Sequence, residues 1–292
     1  MLRRDPQPSY FSDRGYVVFH ARGPRNAASL HPHFHAEYLL CLQVHGSEAC
    51  HVTGKLHHFA PGDLVLINPL QVHTGNTQGT AELEYISLYI DPELLREIAR
   101  GVTPASEHQP EFTNIQIPSD PVVRAKFAAL LQRCQTHVSG EPDSYGEREA
   151  LIHELLGHVL IHYSNLREPR LLATNRVHNR NISRAVAFLH SRDPGDSKRL
   201  DLHALASIAE LSKYHFLRQF RAAVGMTPGA YVRTLKLCHA AQMLRKSPTS
   251  ISTVARAIGF CDHASFTRAF SRHVGMTPSR YQRLHRPCAL PR

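Results

Sequence analysis

The stretch HFLRQFRAAVGMTPGAYVR at residues 215–233 returns as SFTRAFSRHVGMTPSRYQR at residues 265–283. Phe, Arg, Phe, the run Val-Gly-Met-Thr-Pro, Tyr and Arg stand in register, so one structural unit is written twice. Two copies are too few for a stacked solenoid, and the repeat is therefore a unit used twice. In each copy a polar residue, Ser212 or Asp262, precedes a helical run and suits an N-cap. Gly225 and Gly275 stand where such a helix would end in a left-handed residue. Phe216 and Phe220, like Phe266 and Phe270, are four apart and share the core-facing side. Thr227-Pro228 and Thr277-Pro278 read as an N-cap followed by an N1 proline, opening a further helix.

Upstream of each copy lies a second short helix. Asp201 suits the cap of a helix over 202–208 and Ser250 that of a helix over 251–258, each with a three-residue connection to the next cap. Helix, short turn, helix is the helix-turn-helix pattern, and its two instances span 201–223 and 250–273. The helix from Pro228 to about Arg245 joins them. At 1.5 Å per residue it is roughly 27 Å long, comparable with the roughly 34 Å between successive major-groove openings on one face of DNA.

Charge separates this part from the rest. Residues 178–292 carry 19 Lys and Arg against 5 Asp and Glu, whereas residues 1–177 carry 15 against 19. A basic module attached to a mildly acidic one is the electrostatic footprint of a nucleic-acid-binding domain joined to something else. The faces opposite the phenylalanines are then the ones DNA would meet. They carry Lys213, Tyr214, Leu217, Arg218 and Arg221 in the first unit, and His263, Ala264, Thr267, Arg268 and Arg272 in the second. Arg218 and Arg268 occupy identical repeat positions, where an arginine can pair with guanine or clamp a phosphate. Structural ion pairing is the competing role, and few acids are present to supply it.

Ala206 to Phe220, the segment GMTPGAY at 225–231, the segment IGFCDHASFTRAF at 258–270 and GMTP at 275–278 resemble the DNA-binding domain of AraC/XylS-type transcription regulators. The resemblance covers roughly residues 178 to 285. One departure is Glu210, where the first turn of such proteins often carries glycine; a left-handed residue is absent or strained there. Leu217 replaces a residue that is commonly polar in the family, and contact with a thymine methyl is its expected role.

Between about Tyr16 and Ile90, short apolar and β-branched runs alternate with turns. Strands are predicted over 17–20, 37–44, 48–52, 64–67 and 83–90, punctuated by His45-Gly46, Thr53-Gly54 and Pro61-Gly62-Asp63. This reads as a β-barrel. The succession His33-Phe34-His35-Ala36-Glu37, then PGDLVLINP at 61–69, then Val72-His73 resembles the cupin-like jelly-roll sensor domain that often precedes this DNA-binding domain. In an extended strand His31, His33, His35 and Glu37 would share one face. The resemblance to metal-binding cupins nominates His33, His35, Glu37 and His73 as a ligand set. The same residues could hold a divalent metal, hydrogen-bond a polar effector or bond one another.

Asp91-Pro92 opens a helix through Arg100, and 101–118 reads as an irregular connection. Two long helices follow. Phe127, Leu130, Leu131, Cys134 and Val138 repeat the spacing of Ile152, Leu155, Leu156, Val159 and Tyr163, and the loop 139–144 makes them an antiparallel hairpin. Its stripe would pack on the barrel and, in similar regulators, also form a dimer interface. The polar stretch 164–181 reads as the interdomain linker.

The expected architecture is α+β in two domains. A cupin-like barrel with a helical hairpin, for effector sensing and dimerisation, occupies 1–165, a linker 166–180, and an all-α double helix-turn-helix domain 181–286. The six cysteines form no Cys-x-x-Cys pair, which argues against a zinc finger or a disulfide framework. No signal-peptide h-region follows Met1 and no apolar run approaches the roughly 18 residues of a membrane span. These features predict a soluble, cytoplasmic protein without a membrane partner. The resemblance implies promoter DNA, a small-molecule effector, RNA polymerase and a second copy as partners, with no catalysis and no required cofactor. Two other classes remain open: a cupin metalloenzyme with an accessory helical domain, and a nonspecific nucleoid-binding protein.

Overall fold

The runs Tyr38-Leu-Leu-Cys-Leu42 and Leu64-Val-Leu-Ile67 are apolar without interruption because the sheet they build is covered on both faces. The structure, a computed structural model, describes residues 9–13, 15–24, 30–75, 82–103, 109–138, 145–166, 180–192, 201–246 and 249–284. The strands are β1 (Ser9–Asp13), β2 (Tyr16–Pro24), β3 (Leu30–His33), β4 (Tyr38–His45), β5 (Glu48–Val52), β6 (Lys55–Phe59), β7 (Leu64–Ile67), β8 (His73–Gly75), β9 (Glu82–Ile90) and β10 (Gln116–Ile117). They form two antiparallel sheets, ordered β1-β2-β9-β4-β7-β10 and β3-β8-β5-β6. Side chains alternate across a strand. Leu39, Val65 and Ile67 therefore meet Cys50, Val52 and Phe59 of the second sheet, while Leu40, Leu42, Leu64 and Leu66 face a layer of helices. The expected cupin-like barrel is thus a two-sheet sandwich whose sheets are not joined edge to edge into a closed cylinder.

The helical layer consists of α1 (Pro92–Val102), α2 (Pro121–Val138) and α3 (Tyr145–Tyr163). Asp91 caps α1 by accepting from the Glu93 N–H at 3.0 Å. Lys126 to Glu154 at 2.6 Å and an Arg133–Glu147 ion pair join α2 to α3 as the predicted antiparallel hairpin. Phe127, Leu130, Cys134, Ile152, Leu155, Leu156 and Val159 are buried, and all lie in one cluster with the outer face of the larger sheet. Leu131 of the same stripe is only partly buried beside this cluster, and the side chain of Val138 lies outside the described residues. The irregular connection also holds more order than expected: β10 extends the larger sheet, and Asn68 bonds Phe112 through both its amide oxygen and its amide nitrogen, at 2.8 and 3.0 Å.

The C-terminal half contains α4 (Arg180–Ser191), α5 (Leu202–Ile208), α6 (Lys213–Val224), α7 (Pro228–Lys246), α8 (Ile251–Ala257), α9 (His263–Val274) and α10 (Pro278–Leu284). The duplication is visible in the packing. Phe216 and Phe220 stand 5.5 Å apart with Tyr231 5.7 Å from Phe220, and Phe266 and Phe270 stand 5.5 Å apart with Tyr281 5.4 Å from Phe270. Asp201, Ser250 and Asp262 cap their helices with side-chain bonds, whereas Ser212 holds its cap position without one. The two connections differ by a residue. α5 and α8 end alike, with Ala209 and Ile258 as their caps, so the additional residue lies after the shared turn and is Cys261, giving four residues between α8 and Asp262 where three separate α5 from Ser212.

Both connections open with the same turn. Leu211 N–H donates to Ala206 O at 2.9 Å and Phe260 N–H to Ala255 O at 3.0 Å, closing a six-residue turn through a left-handed residue. In the second unit that residue is Gly259 (φ 76°), but in the first it is Glu210 (φ 54°), where a side chain crowds its own backbone. Its carboxylate pairs with Arg184 at 2.7 Å, an exposed pair of small worth. Glu210→Gly should therefore raise the melting temperature by about 2 °C. Arg184→Ala should leave it nearly unchanged, and a lowered melting temperature in Glu210→Gly would mean that the ion pair outweighs the backbone strain.

Among the described residues no helix is long and apolar enough to cross a membrane. Cys41, Cys50, Cys134, Cys238 and Cys261 are unbridged thiols. The stretch 167–179 that makes up most of the expected linker, the hairpin loop 139–144 and Cys288 lie outside the described residues.

Candidate functional site

Two surfaces carry chemistry. The first is the outer face of α6 and α9. Burying Phe216, Phe220, Phe266 and Phe270 forces the opposite side of each helix outward. Lys213, Tyr214, Arg218 and Arg221 are exposed, as are His263, Ala264, Arg268 and Arg272, with Leu217 and Thr267 half-buried. Tyr214 is 84% exposed at the start of α6, an unusual position for a large aromatic side chain unless something covers it. Every nominated residue thus stands on one face of its own helix. α7 spans 19 residues between the two units, about 28 Å at 1.5 Å per residue.

The second surface is the seam between the sandwich and the helical domain, and sequence reasoning reached only half of it. His33 ends β3, and the chain leaves the strand there. The expected single extended row from His31 to Glu37 is therefore broken, and a bend at 36–37 turns the chain into β4. The side chain of His31 lies outside the described residues. His33, His35 and His73 still converge, with ring centroids 4.3 Å apart for His33–His73, 5.0 Å for His35–His73 and 6.4 Å for His33–His35. The reason is register: β8 pairs with β3 and sets His73 directly opposite His33. Glu37 does not join them. Its carboxylate meets Arg245 of α7 at 3.0 Å, and the same guanidinium reaches Asp91 at 3.4 Å.

The helical domain supplies the rest. His273 of α9 brings its ring to 6.0 Å from His33, and the Cys238 thiol of α7 donates to Phe34 O at 3.4 Å. Phe34 itself is wholly buried in the core around Phe216, Phe220 and Tyr231, 4.7 Å from the Tyr231 ring. Gly225, left-handed at φ 86°, ends α6 against the sandwich. A Cβ there would approach Val72 Cγ1 to 3.4 Å, and the positive φ would strain any side chain as well. His273 carried a readable signal, since the other copy has Ala223 at that position, and a polar residue replacing a small one marks a local function. Arg245 and Cys238 carried none, because the apolar residues of α7 are spread round the helix and mark no single face for a neighbour to cover.

The chemistry of the seam follows from its hydrogen bonds. His35 Nδ1–H donates to Glu37 O at 2.9 Å and His73 Nδ1–H to Gln71 O at 2.8 Å, because a backbone carbonyl can only accept. Both neutral rings therefore present Nε2 as an acceptor, and that of His35 is sealed from solvent without a partner. Burial holds the His35 pKa below the usual histidine value. His73 is pushed well below it by burial and by His33, His35 and His273, and His273 falls to about 3 through burial and the facing His33 and His35. Burial, with Glu37 nearby, raises the Cys238 thiol well above its usual range, so it is no nucleophile. Among the described residues no three His, Cys, Asp or Glu side chains are disposed to hold a metal, and the acid that a metal-binding cupin would supply is engaged by Arg245. What the seam offers is buried hydrogen-bond acceptors beside an ion pair, shared between two domains.

The sequence profile of the AraC-like ligand binding domain matches residues 14–156, and that of a helix-turn-helix domain matches residues 205–284. The chain belongs to the AraC/XylS family of transcription regulators. This AraC-type regulator is 26% identical over 232 residues to the uncharacterized HTH-type transcriptional regulator YbfI of Bacillus subtilis, covering 80% of this chain and 79% of that one. Over 72 residues, 25% of this chain and 24% of the other, it is 39% identical to the MmsAB operon regulatory protein of Pseudomonas aeruginosa. Its architecture matches that of fatty-acid-bound ToxT from Vibrio cholerae, with a TM-score of 0.51 at 9% identity over 99% of this chain and 100% of that one. That likeness concerns the fold alone. The family places a DNA-binding function on the helix-turn-helix half and ligand binding on the sandwich, which are the halves that carry the two surfaces.

Proposed function

We propose that this AraC-type regulator binds promoter DNA sequence-specifically through α6 and α9 and answers to a small-molecule effector held at His33, His35 and His73, beside the Glu37–Arg245 ion pair. The observation that carries the reading is the pair Arg218 and Arg268, exposed at the same repeat position of the two units at opposite ends of α7. In this reading Arg268 pairs with a base edge in the major groove. Arg221 and Arg272, one turn further on, hold phosphates, and Leu217 meets a thymine methyl. The unlike residues of the two helices support sequence-specific over nonspecific binding. The relatives being transcription regulators, together with the Glu37–Arg245 pair, supports a regulator over a metalloenzyme. ToxT holds an unsaturated fatty acid in this architecture, which supports an organic effector as the class of ligand. A second copy of the chain and RNA polymerase complete the proposed set of partners, in the cytoplasm. The dimer would form through the hairpin helices α2 and α3, where the stripe leaves Leu131 partly exposed. Sedimentation with and without DNA reads this, and a monomer in both conditions would sink it.

The reading is tested by selecting binding sites from randomised duplex DNA and measuring variants on them. Arg268→Ala should lose about 1–3 kcal/mol on selected sites and relax base preference in one half of the site. Arg272→Ala should weaken selected and random duplexes alike. An Arg268→Ala protein that bound all duplexes as the parent does would remove α9 from the groove.

A further inference from the structure

The two recognition helices are not equally prepared to read bases. At the start of α9, Asp262 Oδ1 accepts from the Ser265 N–H at 2.7 Å, which is the helix cap. Its second oxygen, Oδ2, accepts from the Ser265 hydroxyl at 2.8 Å. That bond commits the hydroxyl proton to Asp262 and leaves the Ser265 oxygen as an acceptor, turned along the helix toward residue 268. Arg268 NH2 donates to it at 3.2 Å. The three residues sit three apart, at 262, 265 and 268, so helical geometry stacks them on one face. That face is the outer one, and Arg268 itself is exposed.

The first unit has the same arginine without this support. Ser212 stands in the place of Asp262 and makes no side-chain cap bond, and His215 stands in the place of Ser265. A histidine ring there offers no short hydroxyl between cap and arginine, and among the described residues no bond corresponding to Arg268–Ser265 holds Arg218. The duplication therefore kept the arginine in both units and the means of aiming it in one.

We propose that Ser265, aligned by Asp262, is a specificity-determining positioning residue that restricts Arg268 to one direction on the exposed face of α9 and so prepares it for bidentate pairing with a base. The second helix-turn-helix thereby reads sequence more sharply than the first. This inference rests on the reading of α9 as a recognition helix. Its physical basis is preorganisation. An arginine free to rotate loses side-chain entropy when it docks in the rigid fork geometry that guanine demands, and a phosphate contact tolerates many rotamers, so restraint favours base readout selectively. Arg218, unrestrained, suits the phosphate backbone or an adaptable contact.

The test uses the full chain and duplexes selected from a randomised pool, and compares affinity for the best site with affinity for sites altered at each base in turn. Ser265→Ala keeps the cap, which is made by the backbone N–H. It should lower discrimination at the bases under α9 by about 3- to 10-fold, the size of one side chain's ordering cost, with affinity for random duplex DNA and the melting temperature unchanged. Ser265→Thr retains a hydroxyl and should restore the discrimination. The double change Ser212→Asp with His215→Ser should build the missing relay and sharpen preference under α6. If Arg268→Ala relaxes base preference while Ser265→Ala leaves it intact, the positioning role is refuted and the recognition helix stands. If Arg268→Ala itself changes nothing, the recognition helix falls and this inference with it. A Ser265→Ala protein that loses random-DNA affinity and thermal stability in proportion would show the hydroxyl to be merely structural.

Discussion

Replacing Phe34 with alanine is expected to cost about 3–5 kcal/mol and to uncouple the two halves of the molecule. Phe34 belongs to the sandwich by sequence and to the helical domain by packing. It is 0% exposed inside the cluster that contains Ile182, Leu205, Phe216, Phe220 and Tyr231. Removing a buried phenyl ring loses its transfer free energy and leaves a cavity that both domains must line, which is the source of that magnitude. The nearby ion pair adds to the coupling rather than replacing the ring. Arg245 and Glu37 are 15% and 12% exposed, so each depends on the other to offset its partial desolvation. Calorimetry of the full chain should show one cooperative transition in the parent and two separated transitions in Phe34→Ala. Leu64→Ala, buried only within the sandwich, should lower stability without separating them. A Phe34→Ala protein that melts as the parent does would mean that the halves are held together elsewhere.

Acidification should undo the same seam. His35, His73 and His273 are all held neutral in the docked state, so their protonated forms are favoured once the domains separate or unfold and the pKa values return toward about 6.5. The open state then binds more protons. The stability of the docked state is therefore fully present above pH 6.5 and is lost as pH falls below it, continuing toward the value of about 3 that His273 has when docked. An imidazole of the open state is already half protonated at pH 6.5, so each contributes at most about 1 kcal/mol and the three together at most about 3 kcal/mol between pH 6.5 and 5.5. Melting temperatures measured between pH 8 and 5 should be level above 7 and fall steeply below 6.5. His273→Gln should remove about a third of the slope. A stability that does not change between pH 7.5 and 5.5 would contradict the buried neutral cluster.

These expectations and the reading of the DNA-facing helices depend on different kinds of information. The double helix-turn-helix was legible because its signals are local. Caps at Asp201, Ser250 and Asp262, phenylalanines four apart and the left-handed Gly225 and Gly275 each act within one or two turns of helix. Writing them twice made coincidence untenable. The exposed faces followed at once, because burying Phe216, Phe220, Phe266 and Phe270 leaves Arg218 and Arg268 no other direction. Strands β4, β5, β7 and β9 were legible for a similar reason, as their apolar or alternating runs are about as long as the strands themselves, whereas only the first half of β2 was read.

Strands β1, β6, β8 and β10 were not among the spans read from the sequence. His73–Gly75 and Gln116–Ile117 have little apolar character of their own, and they are strands only because β3 and β7 offer them unpaired backbone. The same holds for the seam. The sequence by itself determined that His33, His35 and Glu37 lie near one another, since they are two residues apart. It could not determine that Glu37 turns away to Arg245, 208 positions later, or that His273 comes up against His33 from another domain. Those contacts belong to no periodicity, because they are made between surfaces whose own folding does not require them. Local propensities decide which helices and strands form and which of their faces are apolar. Only the tertiary structure decides what covers each face, because that choice is made by the fit of two finished domains and leaves no repeat in either.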